Sequence, residues 1–523
     1  MSTSSSRRAA LRGAPVVASA GPRIAVIGSG YGGAVAALAL ARAGRQVDLI
    51  EMGADWSTMP PKADGTVFDR MDAATGRSTW FGTRTDAPFA RFFGMDVVNK
   101  DIDSRAGVLD TVRFDDFKVY RGVGVGGGSI VNGGMAVTPR RSFLGQVMPS
   151  LELGEMYGTY FPRATEALGV TAPPVDVIGT SPWYQYTRRS AADVRKAGYS
   201  QVMVPNVYDW DHLRRETVER APRSATAAEV IYGNNHGKRS LDKTILAEAL
   251  ATGRVRLVPL TQVTSLTQTS AGAFDLGLRT ITFEGAVTST RTATYDRVVL
   301  AAGSVGTLEL LLRAKAKGTV PGLPATTGRS WGPNGNVMLA RLATNLLGSN
   351  AKSGAHQSGI PAQGVMAWDD SASSVFAEVA PLPVGFETYS NLYLAITNNP
   401  NLGSFTWDTA RDRLALDWDA AKHAPSVAAT KRVFDRINSA AGSYYRTDLF
   451  EGSKRLTDYF TYHPLGGMVL GESTDSRGEV KGVPGLFVMD GSLIPGKVGV
   501  NPFVTITALA MRNMDRLIAG GRF

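Results

Sequence analysis

One short unit near the amino end constrains the fold more than any other part of the sequence. An apolar run at residues 24–27 predicts a buried strand, an alanine- and leucine-rich segment from Gly33 to Ala43 predicts a helix, and a second apolar run at 47–50 predicts another strand. A strand, a helix and a strand joined in this way form a βαβ unit, whose two strands lie parallel in one sheet. The unit therefore predicts an α/β domain built on a parallel sheet.

The turn between the first strand and the helix has the spacing GxGxxG, formed by Gly28, Gly30 and Gly33. In such a motif the first glycine allows the tight turn, the second lets the backbone approach a pyrophosphate, and the third lets the helix pack closely on the strand. The helix start offers free N–H groups to phosphates, and Glu51, after the second strand, can accept hydrogen bonds from ribose hydroxyls. The pattern favours a bound adenine dinucleotide over a purely structural βαβ unit, but it does not choose between FAD and NAD.

Residues 119–137 form a second glycine-rich stretch, which favours a flavin. The stretch contains the glycines Gly122, Gly124, Gly126, Gly127, Gly128, Gly133 and Gly134. Because each glycine costs about 1 kcal/mol of helix stability, this density predicts backbone outside helices and strands, pressed against a planar or anionic group, with Asn132 and Met135 supplying side-chain contacts. The alternative is a flexible surface loop, which the interleaved valines and isoleucines disfavour because they require burial.

The rest of the chain is expected to divide between two domains. Apolar runs at 298–300 and 486–489 predict strands that complete the parallel sheet. Segment 331–460 alternates polar and apolar residues, which predicts antiparallel strands with one buried face. The expected division is a tail at 1–21, a discontinuous FAD-binding domain at 22–56, 240–330 and 478–523, and a substrate-binding domain at 57–239 and 331–477.

Stretches along nearly the whole chain resemble the glucose–methanol–choline (GMC) family of flavin oxidoreductases, and within it the bacterial cholesterol oxidases that bind FAD non-covalently. The matching stretches include "VIGSGYGGAVAALAL", "GVGGGSIVNGGMAV", "WGPNGN", "SSVFAEVAP", "YHPLGG" and "DGSLIPGKVGVNPFVTITALA". The resemblance implies a Rossmann-like FAD-binding domain and a substrate domain whose mostly antiparallel sheet roofs the active site. The residues that it implies as FAD contacts are Gly28, Gly30, Tyr31, Gly32, Gly33, Glu51, Gly128, Asn132, Gly133, Met135, Val263, Gly491 and Phe503.

The resemblance also implies three catalytic residues, His463, Asn501 and Glu378. Oxidation of an alcohol by a flavin requires that the hydroxyl proton leave, and a histidine with a reference pKa near ~6.5 can accept it. Asn501 would fix the oxygen or contact the flavin. Glu378 stands among apolar neighbours, where burial raises the pKa of a carboxyl and makes it a usable base for moving a proton during isomerisation. Without the resemblance, the alternatives are a structural histidine at position 463, a turn asparagine at 501 and an exposed strand glutamate at 378.

The implied activity is FAD-dependent oxidation of the 3β-hydroxyl of cholesterol and related sterols by O2, which yields H2O2. Isomerisation of the Δ5 to the Δ4 double bond would follow and give cholest-4-en-3-one. Two alternatives stay open: a steroid or alcohol dehydrogenase that uses another electron acceptor, and a flavin-bound sterol binder without turnover. Segment 78–98, which holds Trp80, Phe89, Phe92, Phe93 and Met95, is expected either to cap the pocket and touch a membrane surface transiently or to pack in the core.

Composition excludes several kinds of site and partner. The 523 residues include no cysteine, which excludes disulfides, zinc–thiolate sites and iron–sulfur clusters, and no metal site is expected. The net charge of +10 comes from scattered basic residues, so no nucleic-acid partner is expected. No window approaches the ~20 continuous apolar residues of a membrane-spanning helix, which indicates a soluble or surface-attached protein, and a monomer is expected.

The amino-terminal tail allows two interpretations. It carries the pair Arg7–Arg8, and the apolar run that follows is short and broken by Arg12. This pattern is typical of an incomplete export signal or of a plain disordered tail. A secreted protein is therefore the expectation, with a cytoplasmic location as the alternative.

Overall fold

The computed structural model describes most of the chain. The described residues are 21–88, 91–92, 95–96, 98–226, 229, 231–343, 360–369, 374–382, 389–450, 454–457 and 459–523, with the backbone alone at 91–92. The expected tail at 1–21 lies outside these ranges except for Gly21. Among the helices described, none is long and apolar enough to cross a membrane.

Strands and helices alternate along the described chain. The strands are β1 Ile24–Ile27, β2 Val47–Ile50, β3 Arg91–Phe92, β4 Met95–Asp96, β5 Leu109–Arg113, β6 Lys118–Gly122, β7 Ser200–Met203, β8 Val255–Val258, β9 Thr261–Gln268, β10 Phe274–Ile281, β11 Val287–Tyr295, β12 Arg297–Leu300, β13 Val337–Leu342, β14 Gln363–Ala367, β15 Val375–Ala380, β16 Ser390–Thr397, β17 Ser404–Asp408, β18 Arg413–Asp417, β19 Leu456–Thr457, β20 Phe460–Thr461 and β21 Leu486–Val488. The α-helices are α1 Tyr31–Arg42, α2 Arg141–Val147, α3 Leu153–Glu155, α4 Phe161–Ala167, α5 Val175–Thr180, α6 Gln185–Lys196, α7 Trp210–Thr217, α8 Ile245–Ala251, α9 Gly303–Ala316, α10 Ala420–Ala441 and α11 Phe503–Ala519.

Five parallel strands form one sheet in the order β21-β12-β1-β2-β8. The strands come from distant parts of the chain, and β1 and β2 have the bounds that the apolar runs predict. Every residue of β1 is buried, because β12 and β2 flank it and α1 packs on the sheet. The predicted α/β architecture with a parallel sheet is confirmed.

Helix α1 begins earlier than the sequence predicts, at Tyr31 rather than Gly33. Gly32 therefore lies in its first turn, where a Cβ atom would come within 1.4 Å of the carbonyl oxygen of Met489. At Gly33 a Cβ atom would come within 1.9 Å of the carbonyl oxygen of Gly28. The absence of side chains at these two positions brings the helix start against the ends of β1 and β21.

The antiparallel part of the fold is a six-stranded sheet in the order β19-β13-β16-β15-β14-β7. The prediction of one buried face is wrong for its central strands, because every residue of β15 and β16 is buried. On one face, Tyr393 and Ala395 pack with Val433 and Phe434 of α10. The other face points to a large cavity, so both faces of this sheet are covered.

The glycine-rich stretch at 119–137 is more regular than the sequence predicts. Strand β6 extends into it as far as Gly122, and residues 127–130 form a 3₁₀ turn. Antiparallel pairing with β5 and burial of Val119 and Tyr120 offset the low strand propensity of the glycine. The glycines after position 122 lie outside the α-helices and strands, as predicted, and two of them, Gly127 and Gly128, lie in the 3₁₀ turn.

Candidate active site

A cavity of about 690 Å³ lies between the parallel sheet and the antiparallel sheet. The sequence-predicted residues that line it are Gly28, Gly30, Tyr31, Gly32, Glu51, Gly128, Asn132, Gly133, Met135, Val263, His463, Gly491, Asn501 and Phe503. Two predicted site residues, Gly33 and Glu378, are not among the lining residues. Gly33 lies against Gly28, inside the turn, and Glu378 contacts Asn501.

Glu51 occupies the end of β2, at one end of the cavity. Its carboxylate accepts hydrogen bonds from the backbone N–H of Ser29 at 3.0 Å, the Ser29 hydroxyl at 2.8 Å and the backbone N–H of Gly53 at 3.0 Å. Burial raises the pKa of Glu51, and these hydrogen bonds oppose that shift. Glu51 is therefore held in one orientation beside the phosphate-binding turn, where a ribose would lie.

The glycine-rich turns fit a dinucleotide that runs along the cavity. A Cβ atom at Gly30 or at Gly128 would meet no protein atom within 4 Å. Both positions line the cavity, so the missing side chains leave free space beside the N-terminus of α1. Backbone N–H groups at a helix start bind phosphates. The residues present therefore fit an adenine dinucleotide with its pyrophosphate at this turn.

A set of contacts fixes Asn132 and its neighbours in the middle of the cavity. Asn132 Nδ2 donates a hydrogen bond to the Tyr31 hydroxyl at 2.6 Å. The Tyr31 ring stacks on the ring of Phe503, with 4.8 Å between centroids and 14° between planes. One wall of the cavity thus consists of contacting residues from the start of α1, the start of α11 and the glycine-rich stretch.

Lys238 is a site residue that the sequence analysis missed. Its Nζ donates a hydrogen bond to the carbonyl oxygen of Asn132, and the side chain is buried. Burial lowers the pKa of Lys238 to about 7, with a further contribution from nearby Lys243. The contact holds the peptide between Asn132 and Gly133, and both of these residues line the cavity. No local pattern distinguishes this lysine from surface lysines, since only the fold buries it.

His463 lies in the cavity wall with its orientation fixed by Asn336. The Tyr462 backbone N–H donates to Asn336 Oδ1 at 3.2 Å, which directs the Asn336 amide nitrogen toward His463 Nδ1 at 3.0 Å. An amide nitrogen only donates, so Nδ1 accepts and the proton of the neutral ring is on Nε2. His463 therefore presents a hydrogen-bond donor from Nε2.

The ionisation of His463 differs from the sequence-based expectation. Burial lowers the pKa of His463 to about 3, so the ring is neutral at neutral pH. The reference pKa near ~6.5, on which the expected role of His463 as proton acceptor depends, does not hold in this environment. A neutral imidazole with Nδ1 already engaged suits the binding of an alcohol oxygen better than the uptake of its proton.

Asn501 and Glu378 meet although they come from distant segments. Asn501 Nδ2 donates a hydrogen bond to Glu378 Oε2 at 3.3 Å. Asn501 Oδ1 and Glu378 Oε1 are buried with no hydrogen-bond partner among the described residues. Burial raises the pKa of Glu378 to about 8, and the Asn501 hydrogen bond opposes that shift. The exposed-strand alternative for Glu378 is thus wrong, since the side chain is fully buried.

Glu378 lies on the cavity side of the antiparallel sheet. Side chains alternate along β15, so Glu378 shares a face with Ala380, which lines the cavity. Its pairing partner on β16 is Leu394, which also lines the cavity. The carboxyl therefore lies directly behind the lining residues, next to Asn501.

One part of the cavity wall is mainly apolar, whereas charged residues such as Arg279, Arg313 and Lys317 line another part. The apolar lining residues include Trp80, Leu109, Tyr120, Val131, Ile231, Met338, Ala380, Leu392, Leu394 and Tyr462. Of segment 78–98, Trp80 thus lines the cavity, whereas Phe89 and Phe93 lie outside the described residues. This part of the cavity suits a large apolar substrate.

Comparisons with known proteins agree with this arrangement. A family profile described as "GMC oxidoreductase, C-terminal" matches residues 334–451, and "GMC oxidoreductase" matches 398–510. A profile described as "NAD(P)-binding Rossmann-like domain" matches 26–93. These three matches include most of the βαβ unit, all strands of the antiparallel sheet except β7, and the segments that hold His463 and Asn501.

Two relatives and one solved structure resemble nearly the whole chain. Cholesterol oxidase of Mycobacterium tuberculosis is 24% identical, with 94% of this chain and 90% of that protein covered. Cholesterol oxidase of Acinetobacter baumannii is 22% identical, with 94% of each covered. An FAD-dependent oxidoreductase from Chaetomium thermophilum has the same fold, with a TM-score of 0.61, 14% identity, and 96% of this chain and 100% of that chain covered.

Proposed function

The chain belongs to the GMC oxidoreductase family, and on that premise we propose that it oxidises the 3β-hydroxyl of cholesterol and related sterols. In this proposal O2 is the electron acceptor, and the Δ5 double bond then moves to Δ4. The observation that carries the proposal is the convergence of His463, Asn501 and Glu378 beside an apolar wall. The named activity of the two relatives agrees with a sterol substrate.

The cofactor of this FAD-dependent family would be held along the two glycine-rich turns. When bound, FAD supplies the acceptor for the hydride of the carbinol and passes the electrons to oxygen. We propose that it is held non-covalently, because His463 is the one histidine among the described lining residues and its Nδ1 is engaged by Asn336. The chain contains no cysteine for a thioether link.

His463 and Asn501 would orient the substrate. The Nε2–H of His463 would donate a hydrogen bond to the carbinol oxygen, which a neutral ring does at any pH well above its pKa of about 3. Asn501 lines the same cavity and would hold the oxygen or the flavin through its amide. Each side chain precedes a proline, which restricts the backbone beside it.

Glu378 would act as the base. Its pKa of about 8 makes its carboxylate a stronger proton acceptor than His463, so the hydroxyl proton would pass to Glu378 and from there to solvent. In the second reaction the carboxylate would take a proton from the carbon between the new ketone and the double bond. It would return that proton at the far end of the allylic system, so no net proton is gained or lost.

Three further features stay predictions. Contact with a membrane surface during sterol uptake is supported by Met95, which is 64% exposed in the segment that also places Trp80 in the cavity. Secretion rests on the sequence of the tail at 1–21 alone. A monomeric state is the third of these predictions.

Anaerobic mixing of the FAD-loaded protein with cholesterol tests the proposal. Cholesterol should bleach the flavin absorbance, and the steroid extracted should be cholest-4-en-3-one. Readmitted oxygen should restore the absorbance and yield one H2O2 per turnover. A flavin that stays oxidised would contradict the proposal, and reoxidation only by an artificial acceptor would contradict its oxidase part.

A further inference from the structure

A four-residue turn behind the cavity carries two buried asparagines. Residues 333–336, Pro-Asn-Gly-Asn, immediately precede β13. Both Asn334 and Asn336 are fully buried, and neither lines the cavity. Their side chains nevertheless contact the two segments that supply His463 and Asn501.

Asn334 holds the segment that leads into Asn501. Its Oδ1 accepts hydrogen bonds from the backbone N–H groups of Val498 at 2.8 Å and Gly499 at 3.3 Å. Its Nδ2 donates to the carbonyl oxygen of Val500 at 2.8 Å. One side chain thus binds the three residues that immediately precede Asn501.

Asn336 holds the other catalytic segment. Its Nδ2 donates to His463 Nδ1, and its Oδ1 accepts from the Tyr462 backbone N–H. Because Asn334 and Asn336 are separated by a single glycine, His463 and Asn501 are bound to the same short piece of backbone.

The turn itself is anchored to the antiparallel sheet and to α10. His423 Nε2 donates a hydrogen bond to the carbonyl oxygen of Asn336 at 2.9 Å. The Thr397 hydroxyl, at the end of β16, donates to the carbonyl oxygen of Gly335 at 3.1 Å. Asn334 has a φ of 53°, in the left-handed region that asparagine tolerates better than most residues. The position of the turn is therefore fixed relative to the antiparallel sheet and α10.

We propose that Asn334 and Asn336 are positioning residues, and that the turn 333–336 sets the separation between His463 and Asn501. The catalytic part of this inference rests on the proposed function. A shared reference point explains how two groups from separate segments keep one geometry, since a misplacement of about 1 Å can cost on the order of 10²-fold in rate.

The first test measures backbone protection in the FAD-loaded protein and requires no substrate. Asn334→Gly keeps the left-handed φ accessible and removes all three side-chain hydrogen bonds. Deuterium exchange at Val498 and Gly499 should become roughly tenfold faster or more. Ser330→Gly, in the same region and also at positive φ, 59°, is the matched control and should leave that exchange unchanged. Unchanged exchange in Asn334→Gly would overturn the proposal.

The second test is a double-mutant cycle on the rate of flavin reduction by cholesterol. If Asn334 acts through Asn501, Asn334→Gly should slow reduction roughly tenfold in the unaltered background and less than twofold in Asn501→Ala. Equal slowing in both backgrounds would overturn the positioning role. If the glycine variant does not fold, Asn334→Asp replaces it, because it keeps the acceptor for Val498 and Gly499 and loses only the donor to Val500. If cholesterol never reduces the flavin, the proposed function fails and the exchange result alone decides whether the turn holds residues 498–500.

Discussion

Asn501 donates a hydrogen bond to Glu378 at 3.3 Å, although one residue precedes α11 and the other lies in β15. The contact joins the segment that leads into α11 to the sheet that forms the apolar wall of the cavity. It also makes the pKa of Glu378 depend on Asn501, because the amide stabilises the carboxylate against the effect of burial. The proposed oxidation and isomerisation would therefore be coupled through this pair.

Removal of the Asn501 amide should shift the pH dependence of isomerisation. With cholest-5-en-3-one supplied as substrate, the rate in the unaltered protein should rise with pH through about 8, as Glu378 ionises. In Asn501→Ala the carboxylate loses its hydrogen bond, so the midpoint should move to higher pH. Rates measured between pH 6 and 10 decide this, and an unmoved midpoint would show that Asn501 does not act on Glu378.

Replacement of Glu378 should change the pH dependence of stability. The folded-state pKa of about 8 lies above the ordinary value of 4.5, so the stability that this group contributes below about pH 4.5 is lost as the pH rises through about 8. Glu378→Gln removes that loss. Its free energy of unfolding relative to the unaltered protein should increase by roughly 3 kcal/mol between pH 6 and 9.

Denaturant unfolding at the two pH values measures this increase. Glu284→Gln removes an exposed carboxylate and is the control for the loss of charge. If the free energy of unfolding increases equally in both variants, the burial of Glu378 is not the cause of the increase.

Substitution of Asn336 by aspartate should alter the ionisation of His463. The aspartate carboxylate would accept a proton from Nδ1 rather than donate to it, which reverses the tautomer and raises the pKa of His463 from about 3. Histidine ¹⁵N spectra of the FAD-loaded protein report both changes, with His463→Gln to assign the signal. Flavin reduction by cholesterol should slow by roughly 10²-fold, because Nε2 would no longer carry the proton. A titration of His463 near pH 6.5 in the unaltered protein would contradict the account.

Two glycines of the first turn should respond differently to alanine. A Cβ at Gly30 meets nothing within 4 Å in the protein, so Gly30→Ala should fold normally and bind FAD at least tenfold more weakly if the pyrophosphate lies there. A Cβ at Gly32 would lie 1.4 Å from the Met489 carbonyl oxygen, so Gly32→Ala should destabilise the fold itself. Thermal unfolding of the apoprotein and FAD titration separate the two effects.

The exposed part of segment 78–98 should affect the turnover of cholesterol only when the cholesterol is presented in a lipid membrane. Met95→Ser, at a position 64% exposed, should slow turnover of cholesterol in vesicles several-fold and leave turnover of detergent-dispersed cholesterol unchanged. Val287→Ser, 57% exposed in the remote strand β11, is the matched control. Equal slowing in vesicles and in detergent would remove the membrane contact from the account.

Sequence reasoning succeeded where a feature is local. The bounds of β1 and β2 follow from short apolar runs, and the GxGxxG spacing encodes the turn between β1 and α1 within a few residues. The position of Glu51 beside that turn could be predicted because it directly follows β2 in the same unit. The resemblance then supplied His463, Asn501 and Glu378, which no local pattern joins.

The parts that sequence reasoning missed depend on long-range packing. Lys238 and Asn336 are ordinary polar residues in the sequence, and only the folded chain buries them against Asn132 and His463. The low pKa of His463 has the same origin, because desolvation comes from elements far away in the chain. The full burial of β16 could not be predicted either, since a polar–apolar alternation does not show that α10 covers the second face.

The steroid product of Glu378→Gln tests the central claim most directly. Cholesterol is mixed anaerobically with the FAD-loaded variant and with the unaltered protein, and the steroids are extracted after a single turnover. We expect the unaltered protein to give cholest-4-en-3-one, whereas the variant should reduce its flavin more slowly and accumulate cholest-5-en-3-one. A variant that still gives mainly cholest-4-en-3-one, as fast as the unaltered protein, would contradict the role of Glu378 as the base.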